Sequence, residues 1–158
     1  MNLKIFRIRE TAKLPTRANP ADAGLDLYYC PNGEKKRFPD DIGLTIVPRE
    51  SVLIPTGIKA EIPFGYMLEI KNKSSIAHKR QLIVGACVVD SGYDGEIYVN
   101  IHNIGLENQT ITPGEKVAQA ILIPIVHCRI EEVKDSQFIN FNSERGDNGF
   151  GSSGRFWL

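Results

Sequence analysis

The sequence is short of the features that mark several common protein classes. Its 158 residues include only three cysteines, Cys30, Cys87 and Cys128, and this odd number without paired spacing argues against a disulfide framework. Lysine plus arginine equal aspartate plus glutamate at 19 each, so no wide basic field is available to hold nucleic acid. No apolar run approaches the roughly 20 residues of a membrane span, and the start of the chain does not resemble a signal peptide. We therefore expect one domain that is neither secreted nor bound to a membrane or nucleic acid, and that is cytoplasmic, or nuclear in a eukaryotic or viral source.

Helix signals are also nearly absent, and short apolar stretches alternate with turn residues instead. Ile97, Val99 and Ile101 alternate with polar neighbours, which is typical of a half-buried strand. The best helix signal covers residues 74–79, with serine as its expected cap. The predicted strands lie at 3–8, 51–54, 58–62, 66–70, 97–101, 117–125 and 130–133. Many short strands at even spacing indicate an all-β sandwich, jelly roll or barrel.

A basic cluster precedes and includes the predicted helix. Residues 71–80 hold five basic side chains if His78 is protonated, and Ser74 and Ser75 stand where the helix would begin. The free N–H groups and positive potential of a helix start suit phosphate. A solvated basic loop with an ordinary serine cap is the alternative interpretation.

A possible general base follows two valines at Val88-Val89-Asp90. The two valines indicate a buried strand, which would deliver the Asp90 carboxylate in fixed geometry, as a general base requires. Tyr93 follows in a turn bounded by glycines. The alternative is a hairpin turn in which aspartate and glycine only satisfy backbone geometry.

Two polar side chains stand inside apolar strands and need partners. Gln119 interrupts the apolar run at 117–125, and Asp26 lies between two leucines. Burying an amide or carboxylate without a partner costs a few kcal/mol. Each must therefore be bonded, either to the protein itself or to a ligand.

The end of the chain combines glycines with groups that suit a nucleotide. Glycines free the backbone N–H groups, the Arg145 guanidinium and the Ser152 and Ser153 hydroxyls suit phosphate oxygens, and Phe150 offers one flat ring. The pattern indicates a segment that closes over a ligand carrying phosphates and a ring. A flexible Gly/Ser terminus is the alternative.

Taken together and in order, these clusters resemble the five motifs of the trimeric deoxyuridine triphosphate nucleotidohydrolases, the dUTPases. The resemblance spans residues 21–154. It implies an antiparallel β jelly roll of the β-clip type over residues 1–134 and an arm over 135–158 that closes the site. It also implies a homotrimer with active sites at subunit interfaces, magnesium as cofactor, and hydrolysis of dUTP to dUMP and pyrophosphate, which keeps uracil out of DNA and supplies dUMP for dTMP synthesis.

The resemblance also implies a role for each matching residue. Asp90 would activate the attacking water and contact the 3′-hydroxyl, and Tyr93 would lie beneath the sugar and exclude ribonucleotides. Asp26 would act near magnesium through water. The backbone that reads uracil would be Gly85, Ala86, Cys87 and Val88. The phosphate-binding residues would be Lys73, Ser74, Ser75 and Gln119. The arm would contribute Arg145, Phe150, Gly151, Ser152 and Ser153, with Phe150 stacked on uracil.

This sequence departs from the family pattern at two site positions. Lys73 stands where arginine is usual, and lysine supplies charge without a planar fork. Cys87 stands where glycine is common, and it would be strained if the backbone there had a positive φ. Two other functions remain open at this point: a dCTP deaminase on the same fold, and a dUTPase-like protein whose nucleotide occupancy regulates a partner. The polar loop at 31–41 has no evident role.

Overall fold

The computed structural model describes residues 1–33 and 43–134. The chain divides into two compact units, Met1–Val126 and His127–Leu158, and every described strand and helix lies in the first. The strands are β1 Lys4–Arg7, β2 Leu25–Tyr28, β3 Leu44–Ile46, β4 Ser51–Pro55, β5 Ile58–Glu61, β6 Tyr66–Lys71, β7 Leu82–Val84, β8 Val88–Asp90, β9 Tyr98–Asn103, β10 Gln109–Ile111 and β11 Lys116–Pro124. One helix, α1 Ser74–Arg80, joins β6 to β7. Within these residues, no helix is long and apolar enough to cross a membrane.

The strands pair antiparallel throughout. Four of them form a sheet in the order β2-β11-β6-β8, three form a sheet in the order β4-β9-β7, and β1-β5 and β10-β3 form two-stranded sheets. In the four-stranded sheet, Gln119 lies opposite both Asp26 and Lys71, and Met67 lies opposite Asp90. The all-β antiparallel prediction is confirmed.

The alternation seen in the sequence orders the core. Ile97, Val99 and Ile101 point inward and are at most 2% exposed, because successive side chains on a strand face opposite sides. The central position of β11 accounts for its apolar run, since it is paired on both edges. These buried faces hold the sheets in place and leave the polar face of β9 free for other contacts.

Three local predictions were wrong. Residues 130–133 do not form a strand. Ile130 is 92% exposed, so the apolar residue that suggested a strand is not buried. Serine does not cap α1: the N-cap is Lys73, without a side-chain capping bond. The strand before Asp90 is present, but Val88 is 56% exposed rather than buried.

Candidate functional site

A cleft of about 290 Å³ brings together strand β8, the turn after it and the segment before it. Ala86, Val88, Asp90 and Tyr93 all line it, as the predicted site requires. Because β8 pairs with β6 and ends at Asp90, the carboxylate is delivered to the cleft at the end of a strand. Asp90 itself is exposed, and therefore accessible to a ligand. A larger depression of about 470 Å³, lined by β1, β5 and the turn after Asp90, shares only Tyr93 with the predicted site.

The turn after Asp90 places the Tyr93 ring. The Tyr93 N–H donates to the Asp90 carbonyl at 3.1 Å, and the Tyr93 hydroxyl donates to the Glu96 carbonyl at 2.9 Å. A Cβ on Gly95 would lie 2.4 Å from the Tyr93 hydroxyl oxygen, so only glycine leaves room for this closure. The ring is thereby held against its own turn while 46% of the residue stays exposed to the cleft.

Glu96 is anchored from the opposite side of this turn. Its carboxylate accepts from the Arg9 Nη1 group at 3.0 Å and from the Gly57 N–H at 2.7 Å. Burial alone would lower the pKa of Arg9, but the contacts with Glu96 and Cys30 outweigh it and raise that pKa. This ion pair ties the turn to Arg9, near the start of the chain.

Residues 85–88, predicted to read a base through their backbone, are held by hydrogen bonds. The Cys87 carbonyl accepts from the Ile70 N–H at 2.7 Å. In the described part of the chain, positive φ values at residues other than glycine occur at Arg49 and Gln81. Cys87 is therefore not strained, and cysteine fits where the family pattern has glycine.

A second cluster gathers charged and amide groups around β2 and β11. The Asp26 carboxylate is 6% exposed and accepts from Lys73 Nζ at 2.9 Å through Oδ1. Lys116 Nζ lies 2.6 Å from Oδ2 and forms an ion pair with it. Gln119 Nε2 donates to the Asn72 carbonyl at 2.9 Å. Both polar residues thus have protein partners, as their position inside strands required.

The two lysines set the charge of Asp26. Burial alone would raise the pKa of this carboxyl group, but the contacts with Lys116 and Lys73 outweigh burial and lower it. Asp26 is therefore ionised at neutral pH, and the same contact raises the pKa of Lys116. Ser74 and Ser75 lie beside this cluster in sequence, exposed in the first turn of α1, where their hydroxyls are accessible.

The metal-ligating side chains of this site fit only a metal ion that arrives already bound to the phosphates of a ligand. Among residues 1–33 and 43–134, no group of three or more histidine, cysteine, aspartate or glutamate side chains could hold a metal ion. Both oxygens of Asp26 already face ammonium groups. Magnesium binds phosphate oxygens and water readily and needs one or two carboxylates at most, so contact through bound water suits this site.

The two clusters are far apart within one chain. From Asp26 the sheet runs across Gln119 to Lys71, along β6 to Met67, and across to Asp90. Three strand spacings of ~4.8 Å and four residues of ~3.3 Å put Asp26 and Asp90 about 20 Å apart in the plane of the sheet. This is much longer than a triphosphate.

Three residues of these clusters were missed in the sequence. Lys116 pairs with Asp26, Asn72 binds Gln119 and the Val84 N–H, and Asn100 binds the backbone at residues 85–86. Asn100 carried a signal, since it is a polar residue on the outward face of an alternating strand. The partners of the other two depend on strand register.

The remaining predicted residues, Arg145, Phe150, Gly151, Ser152 and Ser153, lie outside the described residues.

The structure defines an all-β antiparallel class of protein, with an acid and an aromatic ring at one cleft and a separate cluster of lysines around Asp26. The sequence model of the dUTPase family matches residues 10–154. Deoxyuridine 5′-triphosphate nucleotidohydrolase of Aeromonas hydrophila is 37% identical over 98% of this chain and 97% of its own length. The protein of the same name from Tolumonas auensis is 38% identical over the same shares. The chain belongs to the dUTPase family.

Solved structures agree with this assignment. The dUTPase of Staphylococcus bacteriophage 80alpha, determined with dUPNHPP, superposes with a TM-score of 0.81, 25% identity, and coverage of 98% of this chain and 99% of that one. A mutant dUTPase of phage phi11 of S. aureus, in which a structural Mg(II) ion is coordinated, gives a TM-score of 0.71 at 22% identity over 87% of this chain and 100% of that one. The second likeness shows the fold alone. The predicted jelly roll is confirmed.

Proposed function

We propose that this protein hydrolyses dUTP to dUMP and pyrophosphate, by in-line attack of water on the α-phosphorus. The observation that carries the proposal is the cleft lined by Ala86, Val88, Asp90 and Tyr93. It presents a base-reading backbone, an accessible carboxylate and an aromatic ring in one place. Family membership identifies the substrate class that these groups suit.

Asp90 acts as the general base in this proposal. It accepts a proton from the attacking water as the bond from the water oxygen to the α-phosphorus forms. The bond from that phosphorus to its bridging oxygen breaks, and pyrophosphate leaves with the electron pair. Positioned general bases contribute roughly 10²- to 10⁴-fold to rate, so the accessible position at the end of β8 is central to turnover.

The other groups of the chain bind and orient. The backbone at Gly85–Val88 reads uracil, and the Tyr93 ring, fixed by its bond to the Glu96 carbonyl, lies beneath the sugar. Lys73, Ser74, Ser75 and Gln119 hold phosphate oxygens, and Asp26 keeps two lysine ammonium groups in place. Magnesium, when bound with the triphosphate, supplies positive charge that stabilises the departing pyrophosphate.

In this proposal, two copies of the chain share each site. Asp90 and the Asp26–Lys73 cluster are about 20 Å apart within one sheet, so they cannot act on the same triphosphate. Asp90 of one copy and Lys73 of another copy can act on the same triphosphate. This separation supports the proposed homotrimer with interface sites, and the arm at 135–158, with Arg145, Phe150, Gly151, Ser152 and Ser153, is proposed to close each one. We also propose a cytoplasmic location, where dUTP is met.

The test is the variant Asp90→Asn. It keeps the shape of the side chain and removes the base, so kcat should fall about 10³-fold, while a non-hydrolysable dUTP analogue should bind within about threefold of the unmodified protein. Asp94→Asn is the matched control, because Asp94 is an exposed acid in the same turn and does not line the cleft. Turnover of Asp90→Asn equal to that of the control would contradict the role of Asp90.

The two alternative functions are not favoured. The curated relatives carry the hydrolase name, and the Asp90 and Tyr93 pair in the cleft suits attack on phosphorus beside a deoxyribose. A dCTP deaminase would attack the base instead. No feature of residues 1–33 and 43–134 favours a purely regulatory role.

A further inference from the structure

Asn100 is the side chain through which β9 contacts the backbone at residues 85–86. The Asn100 Oδ1 atom accepts from the Ala86 N–H at 3.1 Å. The Asn100 carbonyl also accepts from the Gly85 N–H at 2.9 Å. Asn100 lines the same cleft as Ala86, Val88 and Asp90. One residue therefore fixes two successive N–H groups at the start of the segment.

The orientation of the Asn100 amide is determined by its partners. Nδ2 donates to the Ser51 hydroxyl at 2.9 Å and to the Val52 carbonyl at 3.3 Å. A carbonyl only accepts and a backbone N–H only donates, so the amide cannot be flipped. His102 Nε2 lies 3.0 Å from the same Oδ1, and an oxygen can only accept there, so this nitrogen carries the proton. The donors and the acceptor of the amide thus all have partners.

Close approach of the backbone makes this contact possible. A Cβ on Gly85 would lie 2.2 Å from His102 Nε2 and 2.3 Å from Asn100 Oδ1. Glycine at position 85 therefore allows the backbone to lie close against the polar face of β9, whereas a side chain at this position would clash with His102 and Asn100. The position of the Ala86 backbone is set by this contact.

The contact is not needed to keep β9 in the fold. Val99 and Ile101 bury the opposite face of the strand at 0% and 1% exposure, and its ladders to β4 and β7 are made by backbone groups. Asn100 lies on the other face and is partly exposed. The amide there bonds the segment at residues 85–86 and the neighbouring strand β4, and it does not pack in the core.

We infer that Asn100 is a positioning residue for base selection: it fixes the Ala86 backbone so that the segment presents the donor and acceptor pattern of uracil. This rests on the proposed function, which assigns uracil to residues 85–88. A base with a different pattern leaves buried polar groups unpaired, and this is the source of discrimination. Loosening the Ala86 backbone lets the segment adapt to cytosine and reduces that penalty.

The test compares Asn100→Ala with the matched control Asn103→Ala. Asn103 is on the same strand, and its amide is equally committed, donating to the Ile46 and Glu107 carbonyls and accepting from the Gly105 N–H, away from the cleft. For Asn100→Ala we expect KM for dUTP to rise about tenfold with kcat within about threefold, and the preference for dUTP over dCTP in kcat/KM to fall about tenfold. Asn103→Ala should lower the melting temperature and leave that preference unchanged.

A second readout does not depend on activity. Amide hydrogen exchange at Ala86 without nucleotide should be faster in Asn100→Ala and unchanged in Asn103→Ala. If either alanine variant does not fold, Asn100→Ser and Asn103→Ser make the same comparison, because a serine hydroxyl is too short to replace Oδ1.

The outcomes separate this inference from the function on which it rests. Unmodified protein that hydrolyses dUTP, with an Asn100 variant that keeps the original base preference and Ala86 exchange, would overturn the positioning role alone. Unmodified protein that releases no pyrophosphate from dUTP would overturn the proposed function and this inference together.

Discussion

At the scale of single residues, the most informative group is the Asp26 carboxylate. The sequence showed that a carboxylate between leucines needs a partner, and the structure supplies two, Lys73 and Lys116. The family pattern has arginine at the position of Lys73. Here one lysine shares the carboxylate with another, so a compact ammonium group is sufficient for this contact. Asp26 therefore organises positive charge where the proposal places phosphate.

This arrangement predicts a pH-dependent contribution to stability. The folded-state pKa of Asp26 lies below its ordinary value of 3.8, so the stabilisation is complete above that value and is lost as the pH falls through the lower folded-state pKa. Asp26→Asn should be less stable than the unmodified protein by about 2 kcal/mol at pH 7, less than for a fully buried pair because both lysines are partly exposed. The difference should shrink below about pH 4, as measured by denaturant unfolding at several pH values.

The control for this prediction is Glu61→Gln. Glu61 pairs with Lys4 on the surface, with side chains 70% and 72% exposed, and such pairs contribute little. A stability difference for Asp26→Asn that stayed constant from pH 7 to pH 3 would show that the charge pairing with the two lysines is not its cause.

At the scale of elements, the sequence pattern predicted the longer strands and missed three of the shortest. β9 and β11 carry clear patterns because their apolar faces meet the core over six and nine residues. β3, β7 and β10 have three residues each, too few for an alternation to be read. The predicted strand at 130–133 was wrong because two apolar residues in a short segment do not reveal whether a core is available to bury them.

The site was predictable to a similar, partial extent. That Asp90 and Tyr93 lie together was predictable because the strand and glycine-bounded turn that position them are continuous in sequence. Asn100 and Lys116 act across strands, and the register that brings them to residues 85–86 and to Asp26 depends on long-range pairing. Contacts of this kind are set by the assembled sheets rather than by local sequence.

The turn between β8 and β9 carries a prediction of its own. Glu96→Gln keeps the side-chain shape but removes the negative charge that pairs with Arg9. The Arg9 side chain is 22% exposed and the Glu96 side chain is 9% exposed. Stability should fall by about 1–2 kcal/mol. Because the Glu96 carbonyl also accepts from the Tyr93 hydroxyl, the preference for dUTP over UTP should fall by about threefold or more, as measured by kcat/KM for both nucleotides.

Asp94→Asn again serves for comparison, since it alters an exposed acid in the same turn. If Glu96→Gln matched it in both stability and sugar preference, the Arg9 pair would have no part in holding Tyr93.

At the scale of the whole molecule, the separation of Asp90 from the Asp26–Lys73 cluster predicts complementation between copies. Asp90→Asn and the double variant Lys73→Ala/Ser74→Ala should each have little activity. When the two are unfolded together and refolded, some sites should combine Asp90 of one copy with Lys73 and Ser74 of another. Activity should then rise well above the sum of the separate preparations.

Sizing of the same mixtures provides the control. Mixed assemblies of the expected size with no recovered activity would mean that each site is built within one chain, in conflict with the distance across the sheet. Refolding each variant alone should give no increase in activity.

A product assay with purified protein and magnesium tests the proposed substrate and products directly. Incubation with dUTP should yield dUMP and pyrophosphate in equal amounts, with kcat/KM at least about 100-fold higher than for dCTP, dTTP or UTP, as expected when a wrong base or sugar leaves site groups unpaired. Release of ammonia from dCTP, or equal hydrolysis of all four nucleotides, would contradict the account.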